Sequence, residues 1–200
     1  AHGLPQGDYL VVLKHSLNKD LDGVVEEIEN KFTYPVFIKP ANMGSSVGIT
    51  KAHNREELVE GLKEAAKYDR KIIVEEYING REIECAVLGN NDPKASVLGE
   101  IIPSNEFYDY HAKYRDGGKS RLLIPAPISD SKAKEIQRIA IKAYKALDCS
   151  GLARVDFFVD KENGRVYLNE VNTMPGFTQI SMYPKLWEAA GIPYSKLIDH

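Results

Sequence analysis

The segment 154–172 constrains the fold of this chain most, because it predicts two antiparallel strands that carry polar residues at matching positions. Arg154 and Asp156 lie on the first strand, and Glu170 and Asn172 lie on the second. Carboxylate and amide oxygens can hold Mg²⁺ against phosphates, and a guanidinium neutralises charge that develops on a reacting centre. The segment therefore predicts half of an ATP-dependent active site.

The length of the turn decides whether these four side chains meet, because directly opposed residues of antiparallel strands share a face. The local sequence favours a two-residue Asn163-Gly164 turn, which would put Asp156 and Glu170 on opposite faces. We predict a three-residue loop, 162–164 with a left-handed Gly164, since only this loop assembles the site. The predicted pairs are Lys161 with Arg165, Asp156 with Glu170 and Arg154 with Asn172, with Phe158 and Leu168 continuing the same face.

Composition excludes several classes of protein. The 200 residues are 43% hydrophobic and carry a formal net charge of -3, which suits one large or two small globular domains and argues against nucleic-acid binding. No apolar run is long enough to span a membrane and no signal peptide is evident, so we predict a cytoplasmic protein without a membrane partner. The two cysteines, Cys85 and Cys149, lack metal-type spacing and are predicted to be buried reduced thiols. The chain opens on a strand with no complete unit before it, and is predicted to begin mid-protein.

The rest of the pattern alternates strands with helices. Asn54 and Glu57 predict a capped helix that runs to Tyr68, and apolar spacing predicts a second helix from Asp130 to Leu147. Residues 103–127 show no periodicity but are rich in aromatic side chains, which predicts an active-site loop. The predicted strands are Tyr9 to Leu13, Val36 to Ile38, Ile49 to Lys51, Lys71 to Glu76, Glu82 to Leu88 and Ser96 to Ile102.

Two further groups can bind a nucleotide. The glycine loop 44–48 contains Ser45 and Ser46 and follows Lys39, so it can offer backbone donors, hydroxyls and a positive charge to phosphates. A flexible hairpin turn beside a solvated lysine is the alternative for this group. The strand end from Glu75 to Ile78, with Glu82 after the next turn, can frame a purine and bind ribose hydroxyls. An acidic edge strand is the alternative here, and no histidine is assigned to catalysis.

Five strings in this order resemble the D-alanyl-D-alanine ligase family of ATP-grasp carboxylate-amine ligases. They are Ile38-Lys39-Pro40 with the loop 44–48, Glu75 to Ile78 with Glu82, Tyr108-Asp109-Tyr110-His111-Ala112-Lys113-Tyr114, Arg154-Val155-Asp156, and the run from Asn169 to Gly176. Each string alone is only suggestive, but five in order over nearly the whole chain are specific.

The resemblance implies an α+β fold of the ATP-grasp type, with two α+β subdomains whose mainly antiparallel sheets clasp the nucleotide. Residues 1–76 would form the central subdomain. Residues 77–200 would form the C-terminal subdomain, with the substrate loop 103–127 and the metal hairpin 151–172. A full-length member has a further N-terminal domain and is usually a homodimer through it. The chain is therefore expected to be a fragment that is inactive alone.

The implied reaction joins two D-alanines for peptidoglycan synthesis, and hence for cell wall biogenesis and cell shape. ATP phosphorylates one D-alanine carboxylate, and the amine of a second D-alanine then displaces phosphate. Mg²⁺, or Mn²⁺, would be the metal. The resemblance assigns catalysis to Arg154, Ser46 and Tyr114; nucleotide binding to Lys39, Ser45, Ser46, Glu75, Tyr77, Ile78, Glu82 and Lys113; metal binding to Asp156, Glu170 and Asn172; and substrate binding to Tyr108, Tyr110, Arg154, Gly176, Ser181 and Met182.

Three alternatives remain open at this point. The first is a ligase of the same architecture that joins D-alanine to D-lactate or another acceptor. The second is another ATP-grasp enzyme, such as a biotin-dependent carboxylase. The third is a non-catalytic nucleotide-binding module.

Overall fold

The structure, a computed structural model, describes residues 2–44, 46–103 and 121–200. Within these ranges the chain forms two compact units. The first unit comprises residues 7–44 and 46–78, and the second comprises residues 2–6, 79–103 and 121–200. The domain limits 1–76 and 77–200 stay a prediction.

The first unit is a four-stranded antiparallel sheet with helices packed on one face. Its elements are β1 (Tyr9–Leu13), α1 (Lys14–Lys19), α2 (Leu21–Lys31), β2 (Val36–Pro40), β3 (Thr50–Ala52), α3 (Arg55–Tyr68) and β4 (Lys71–Glu76), with sheet order β1-β4-β2-β3. Alternation along β2 buries Val36 and Ile38 in the core, so Phe37 and Lys39 lie on the opposite face. Residues that could bind a ligand are thereby separated from the core.

The start of α3 follows the predicted capping pattern. The Asn54 side chain accepts the N–H of Glu57, and the Glu57 carboxylate accepts the N–H of His53. Helix α1 lies where the sequence predicted no element. The strands β1 and β4 have the predicted bounds.

The second unit is a five-stranded antiparallel sheet. Its elements are β5 (Gly80–Leu88), β6 (Lys94–Ile102), β7 (Arg121–Leu123), α4 (Asp130–Ala146), β8 (Leu152–Asp160), β9 (Val166–Asn172), α5 (Met182–Ala189) and α6 (Tyr194–Ile198), with sheet order β7-β6-β5-β8-β9. Helix α4 buries its apolar stripe against one face of this sheet, where Ile83, Val155 and Phe157 complete the core. We call the opposite face, which carries Arg154 and Asp156, the site face.

Some predictions for this unit need correction or fall outside the structure. Strand β7 lies inside the predicted loop 103–127, and residues 104–120 of that loop are outside the described residues. Cys85 is buried and Cys149 is half-buried, and both are free thiols. In the described ranges no helix is both long and apolar enough to cross a membrane.

Candidate functional site

The hairpin of β8 and β9 brings the four predicted polar residues to matching positions. Asp156 lies directly opposite Glu170, and Arg154 lies directly opposite Asn172. Opposed residues of an antiparallel pair share a face, so all four side chains lie on the site face. The prediction that this hairpin assembles Arg154, Asp156, Glu170 and Asn172 is confirmed.

The turn that joins the two strands differs from the predicted one. The N–H of Asp160 donates to the carbonyl of Arg165, and the N–H of Gly164 donates to the carbonyl of Asp160, each at 2.9 Å. The loop therefore has four residues, 161–164, and the predicted pair of Lys161 with Arg165 is wrong. The left-handed conformation of Gly164 is confirmed, with φ of 68°. The side chain of Asp160 stabilises this loop because its Oδ1 accepts the N–H groups of residues 162 and 163.

A β-bulge at Asn169 restores the register that the longer loop would have shifted. Phe157 pairs with Leu168 and Asp156 with Glu170, which leaves Asn169 as the extra residue. Leu168 consequently packs in the core on the α4 side. The prediction that Leu168 continues the face of Asp156 is wrong, because the bulge inverts the alternation between Leu168 and Glu170.

Arg154 and Asp156 form a bidentate ion pair within the strand. The Nε and Nη2 atoms of Arg154 each donate to a different oxygen of Asp156 at 2.8 Å. A second carboxylate lies close by, since Oε2 of Glu84 is 3.1 Å from Nε of Arg154. Glu84 belongs to β5 and lies directly opposite Asp156. Three carboxylates, those of Glu84, Asp156 and Glu170, therefore form a row across three adjacent strands.

Asn172 bridges two of these carboxylates. Its Nδ2 donates to Oδ2 of Asp156 at 3.0 Å and to Oε1 of Glu170 at 3.2 Å. Both carboxylates thus lie within hydrogen-bond reach of one atom. An amide that is to bind a metal must present its oxygen, so metal binding by Asn172 requires a half-turn of the amide group.

Burial perturbs the ionisation of this cluster. Burial raises the pKa of the Asp156 carboxyl, the neighbouring Glu170 adds to this effect, and Arg154 opposes it. Burial disfavours the charge on Arg154, but the hydrogen bonds and charge of Asp156 outweigh it and raise the pKa of the guanidinium. Arg154 is therefore a fixed positive charge on the site face.

The donor set fits a hard divalent cation. Glu84, Asp156, Glu170 and Arg154 carry a formal charge of -2 when the carboxylates are ionised, and Mg²⁺ prefers oxygen ligands. Within the described part of the chain, no group of three or more His, Cys, Asp or Glu side chains is arranged to hold a metal. A cation here would therefore use the two carboxylates Asp156 and Glu170, the oxygen of Asn172, and oxygens of water or phosphate.

A second group of predicted residues meets within the first unit. Nζ of Lys39 forms an ion pair with Oε1 of Glu75 at 2.7 Å. Lys51 places its Nζ 4.4 Å from the ring centroid of Tyr77, and the ring of Phe37 lies 6.2 Å from that of Tyr77. Tyr77 is 40% exposed. The first unit thus offers a charged pair and a partly exposed aromatic face.

The glycine loop has an unusual backbone. Ser46 and Gly48 both have positive φ, 59° and 73°. A Cβ at Gly48 would lie 2.7 Å from the ring of Tyr68 and 3.0 Å from Pro40, so only glycine fits there without strain. Ser45 lies outside the described residues.

The segment after β9 returns to the site face. Ser181 accepts the N–H of Thr178 at 3.1 Å and is 2.8 Å from the Thr178 hydroxyl, so its side chain holds the turn before α5. Met182 is buried, and its sulfur would lie 2.9 Å from a Cβ placed at Gly99, the residue opposite Glu84. Helix α5 therefore packs over the site face, and glycine at position 99 makes room for it.

Comparison with known proteins assigns the family. A family model described as "D-ala D-ala ligase C-terminus" matches residues 1–200. The chain belongs to this ligase family. A curated D-alanine--D-alanine ligase from Acetivibrio thermocellus is 61% identical over 197 residues, which are 98% of this chain and 52% of the relative. The chain spans about half the length of the curated relatives it matches.

Solved structures of ligases are similar in fold. The D-alanine-D-alanine ligase from Coxiella burnetii is 42% identical with a TM-score of 0.84, over 98% of this chain and 51% of that one. A D-Ala:D-Ser ligase from Enterococcus faecalis is 39% identical with a TM-score of 0.87, over 99% of this chain and 56% of that one. Together with the two antiparallel sheets, these neighbours confirm the α+β ATP-grasp fold predicted from the sequence.

The structure describes only some of the remaining residues that the resemblance assigned to the site. Glu82 lies opposite Phe158 on the site face, two positions from Glu84. The predicted contacts of Tyr108, Tyr110, Lys113 and Tyr114 fall outside the described residues. Sequence reasoning missed Glu84, although the alternation Glu82-Ile83-Glu84-Cys85 already placed two carboxylates on one face.

Proposed function

We propose that this chain belongs to an ATP-dependent ligase that joins two D-alanines through an acyl-phosphate intermediate. In the first step ATP phosphorylates the carboxylate of one D-alanine. In the second step the amine of another D-alanine attacks the acyl carbon, and phosphate leaves through a tetrahedral intermediate. The observation that carries this proposal is the hairpin register, with Arg154 and Asp156 set opposite Asn172 and Glu170 in a member of the ligase family.

Arg154 would stabilise the negative charge of the reacting centre. Its Nε and Nη2 are held by Asp156, while Nη1 has no partner among the described residues. Nη1 can thus donate to an oxyanion without breaking the ion pair. A donor aimed at developing charge contributes about 3–4 kcal/mol to lowering a barrier.

Asp156, Glu170 and Asn172 would hold Mg²⁺, or Mn²⁺, after the Asn172 amide turns its oxygen inward. The ion would neutralise phosphate charge and polarise the transferred group. Asp156 contributes a buried carboxylate with a fixed orientation, because both of its oxygens accept hydrogen bonds from Arg154.

The nucleotide contacts are proposed as follows. Lys39 would exchange its ion pair with Glu75 for the phosphates, and Ser46 would add a donor from the glycine loop. The proposed adenine and ribose contacts are Glu75, Tyr77, Ile78 and Glu82, and Ser45 and Lys113 complete the nucleotide set.

The amino-acid substrates would contact Tyr108, Tyr110, Tyr114, Gly176, Ser181 and Met182, with Ser46 and Tyr114 supporting catalysis. Since the Met182 side chain is buried, its contribution would be its backbone at the first turn of α5. The product would enter peptidoglycan synthesis in the cytoplasm, and the full protein would be a homodimer.

A second acceptor is the competing proposal. A ligase of the D-Ala:D-Ser type is among the similar solved structures, so D-serine stands beside D-alanine as an acceptor, and D-lactate completes the series. Hydroxyl and amine acceptors differ in charge and hydrogen bonding, so small changes in the substrate loop can exchange them.

Phosphate release from ATP tests these proposals. A protein containing these residues would be supplied with D-alanine alone, or with D-serine, D-lactate or L-alanine as the second substrate, and the products would be identified by mass spectrometry. We expect D-alanyl-D-alanine and a loss of about 100- to 1000-fold in kcat for Arg154→Ala. Full activity of Arg154→Ala would refute the assigned role.

A further inference from the structure

Glu84 has no role in the proposed mechanism, yet it lies beside Arg154 and Asp156 on the site face. It is only 6% exposed, lies directly opposite Asp156, and places Oε2 3.1 Å from Nε of Arg154. Burying a carboxylate is costly unless it is paired. The position of Glu84 therefore calls for an explanation.

Asp156 has two roles in the proposed site that compete for the same oxygens. It accepts both hydrogen bonds that orient Arg154, and it is a proposed ligand of the divalent cation. A cation on Asp156 repels the guanidinium and competes for the same oxygens. Two like unit charges 4 Å apart repel by about 4 kcal/mol at an effective dielectric constant of 20. When the cation is bound, Asp156 alone is a poor anchor for Arg154.

Glu84 lies close enough to Arg154 to accept its Nε–H hydrogen bond in place of Asp156. Arg154 has a single Nε–H, which it donates to Asp156 in this structure. Oε2 of Glu84 lies 3.1 Å from the same nitrogen, so a small rotation of the guanidinium transfers the hydrogen bond. Glu84 lies on β5, which is next to β8 but not adjacent to β9, and it is not one of the predicted metal ligands of the hairpin.

We propose that Glu84 is a positioning residue that holds Arg154 on the site face when Asp156 is bound to a divalent cation. This inference rests on the metal assignment in the proposed function. Glu84 does not touch the substrate; it acts through Arg154. Met182 and Leu186 of α5 pack over Gly99, the residue opposite Glu84, and exclude water from this part of the sheet.

The chain offers a matched control. Glu100 on β6 is also 6% exposed and also pairs with an arginine, since Arg81 donates to both of its oxygens at 2.7 Å. Glu100 lies opposite Ile83, which faces α4, so this pair is on the other face of the sheet. Glu100→Gln removes a buried carboxylate–arginine pair without touching the site.

The test follows the side-chain Nε–H signal of Arg154. The side-chain Nε–H signals of ¹⁵N-labelled chain are recorded with and without MgCl₂ and ADP, and Arg154→Lys assigns the signal. In the wild type we expect the Arg154 signal to shift on addition of Mg²⁺ and to stay protected from hydrogen exchange. In Glu84→Gln, exchange with Mg²⁺ should be at least about tenfold faster, because an outer partner of a metal site typically contributes about 10- to 100-fold. Glu100→Gln should behave as the wild type.

The outcomes separate this inference from the proposed function. If Mg²⁺ leaves the wild-type signal unchanged, the metal assignment is refuted and the inference with it. If the wild type responds and Glu84→Gln stays equally protected, the inference alone is refuted. Glu84→Asp keeps the charge on a side chain that is shorter by one methylene, and it should give an intermediate exchange rate. This variant replaces Glu84→Gln in the test if Glu84→Gln does not fold.

In the complete ligase, Glu84→Gln should lower kcat about 10- to 100-fold and change KM for ATP little. An unchanged kcat would contradict the proposal.

Discussion

Replacement of Asp156 by asparagine should separate metal binding from folding. Asparagine has nearly the same size but no charge, and its oxygen can still accept a hydrogen bond from Arg154. Removing one partner of a buried ion pair normally costs about 3–5 kcal/mol, because it leaves an unpaired charge. Here Glu84 remains 3.1 Å from Nε of Arg154, and the repulsion between Asp156 and Glu170 disappears. We therefore expect a smaller loss of unfolding free energy, about 1–3 kcal/mol.

The response to Mg²⁺ should change much more. A ligand that binds only the folded state at a hundred times its Kd stabilises that state by about 2.7 kcal/mol. The wild-type chain should gain this amount from MgCl₂, whereas Asp156→Asn should gain almost none, because neutral asparagine is a poor replacement for a buried carboxylate ligand.

Urea unfolding with and without MgCl₂ measures both effects, with NaCl added to equalise ionic strength. Asp160→Asn is the matched control. It removes a carboxylate from the same strand, keeps an oxygen that can accept the loop N–H groups, and lies outside the predicted metal set. Equal stabilisation of Asp156→Asn and wild type by Mg²⁺ would show that the cation does not bind Asp156, and would refute the reasoning.

Three further predictions concern other parts of the chain. Gly48→Ala should lower the free energy of unfolding in urea titrations by at least about 1–2 kcal/mol, the cost of a left-handed backbone alone, because φ is 73° at position 48 and the added Cβ would also lie 2.7 Å from the ring of Tyr68. Gly44→Ala should change it little, since no described atom lies within 4 Å of the added Cβ. Iodoacetamide at about pH 8 should alkylate half-buried Cys149 well before Cys85, because burial raises the pKa of the Cys85 thiol to about 12. Equal alkylation rates, measured by mass spectrometry, would contradict the burial of Cys85. In the complete ligase, Tyr114→Phe should raise the use of D-lactate relative to D-alanine, and an unchanged product ratio would remove Tyr114 from acceptor selection.

Local rules were sufficient for the elements whose signals lie within a few residues. The cap of α3 at Asn54 and Glu57 is a contact between neighbours in sequence, so the sequence predicts it correctly. The bounds of β4 follow in the same way from a β-branched run between polar residues. Such features depend on no distant part of the chain.

Local rules failed at the hairpin turn, where two signals compete. Asn163-Gly164 favours a two-residue turn, but Asp160 accepts two backbone N–H groups of the loop and stabilises a four-residue one. The position of Glu84 shows a different limit. Alternation predicts the face on which Glu84 lies, but only the sheet order reveals that its neighbour is Asp156. Sheet order is set by contacts between distant segments, for which the sequence carries no local signal.

The spacing of the apolar residues on β9 contains the information that was needed to find the bulge. Val166 and Leu168 lie two residues apart and must share a face, and the next apolar residue, Val171, also packs against the core. An interval of three between Leu168 and Val171 breaks the period of two, so a regular strand cannot bury all three side chains. One extra residue at this point resolves the conflict, and the bulge at Asn169 supplies it. The same inversion turns Glu170 and Asn172 towards Arg154 and Asp156. Core packing and assembly of the polar cluster therefore impose the same irregularity on this strand.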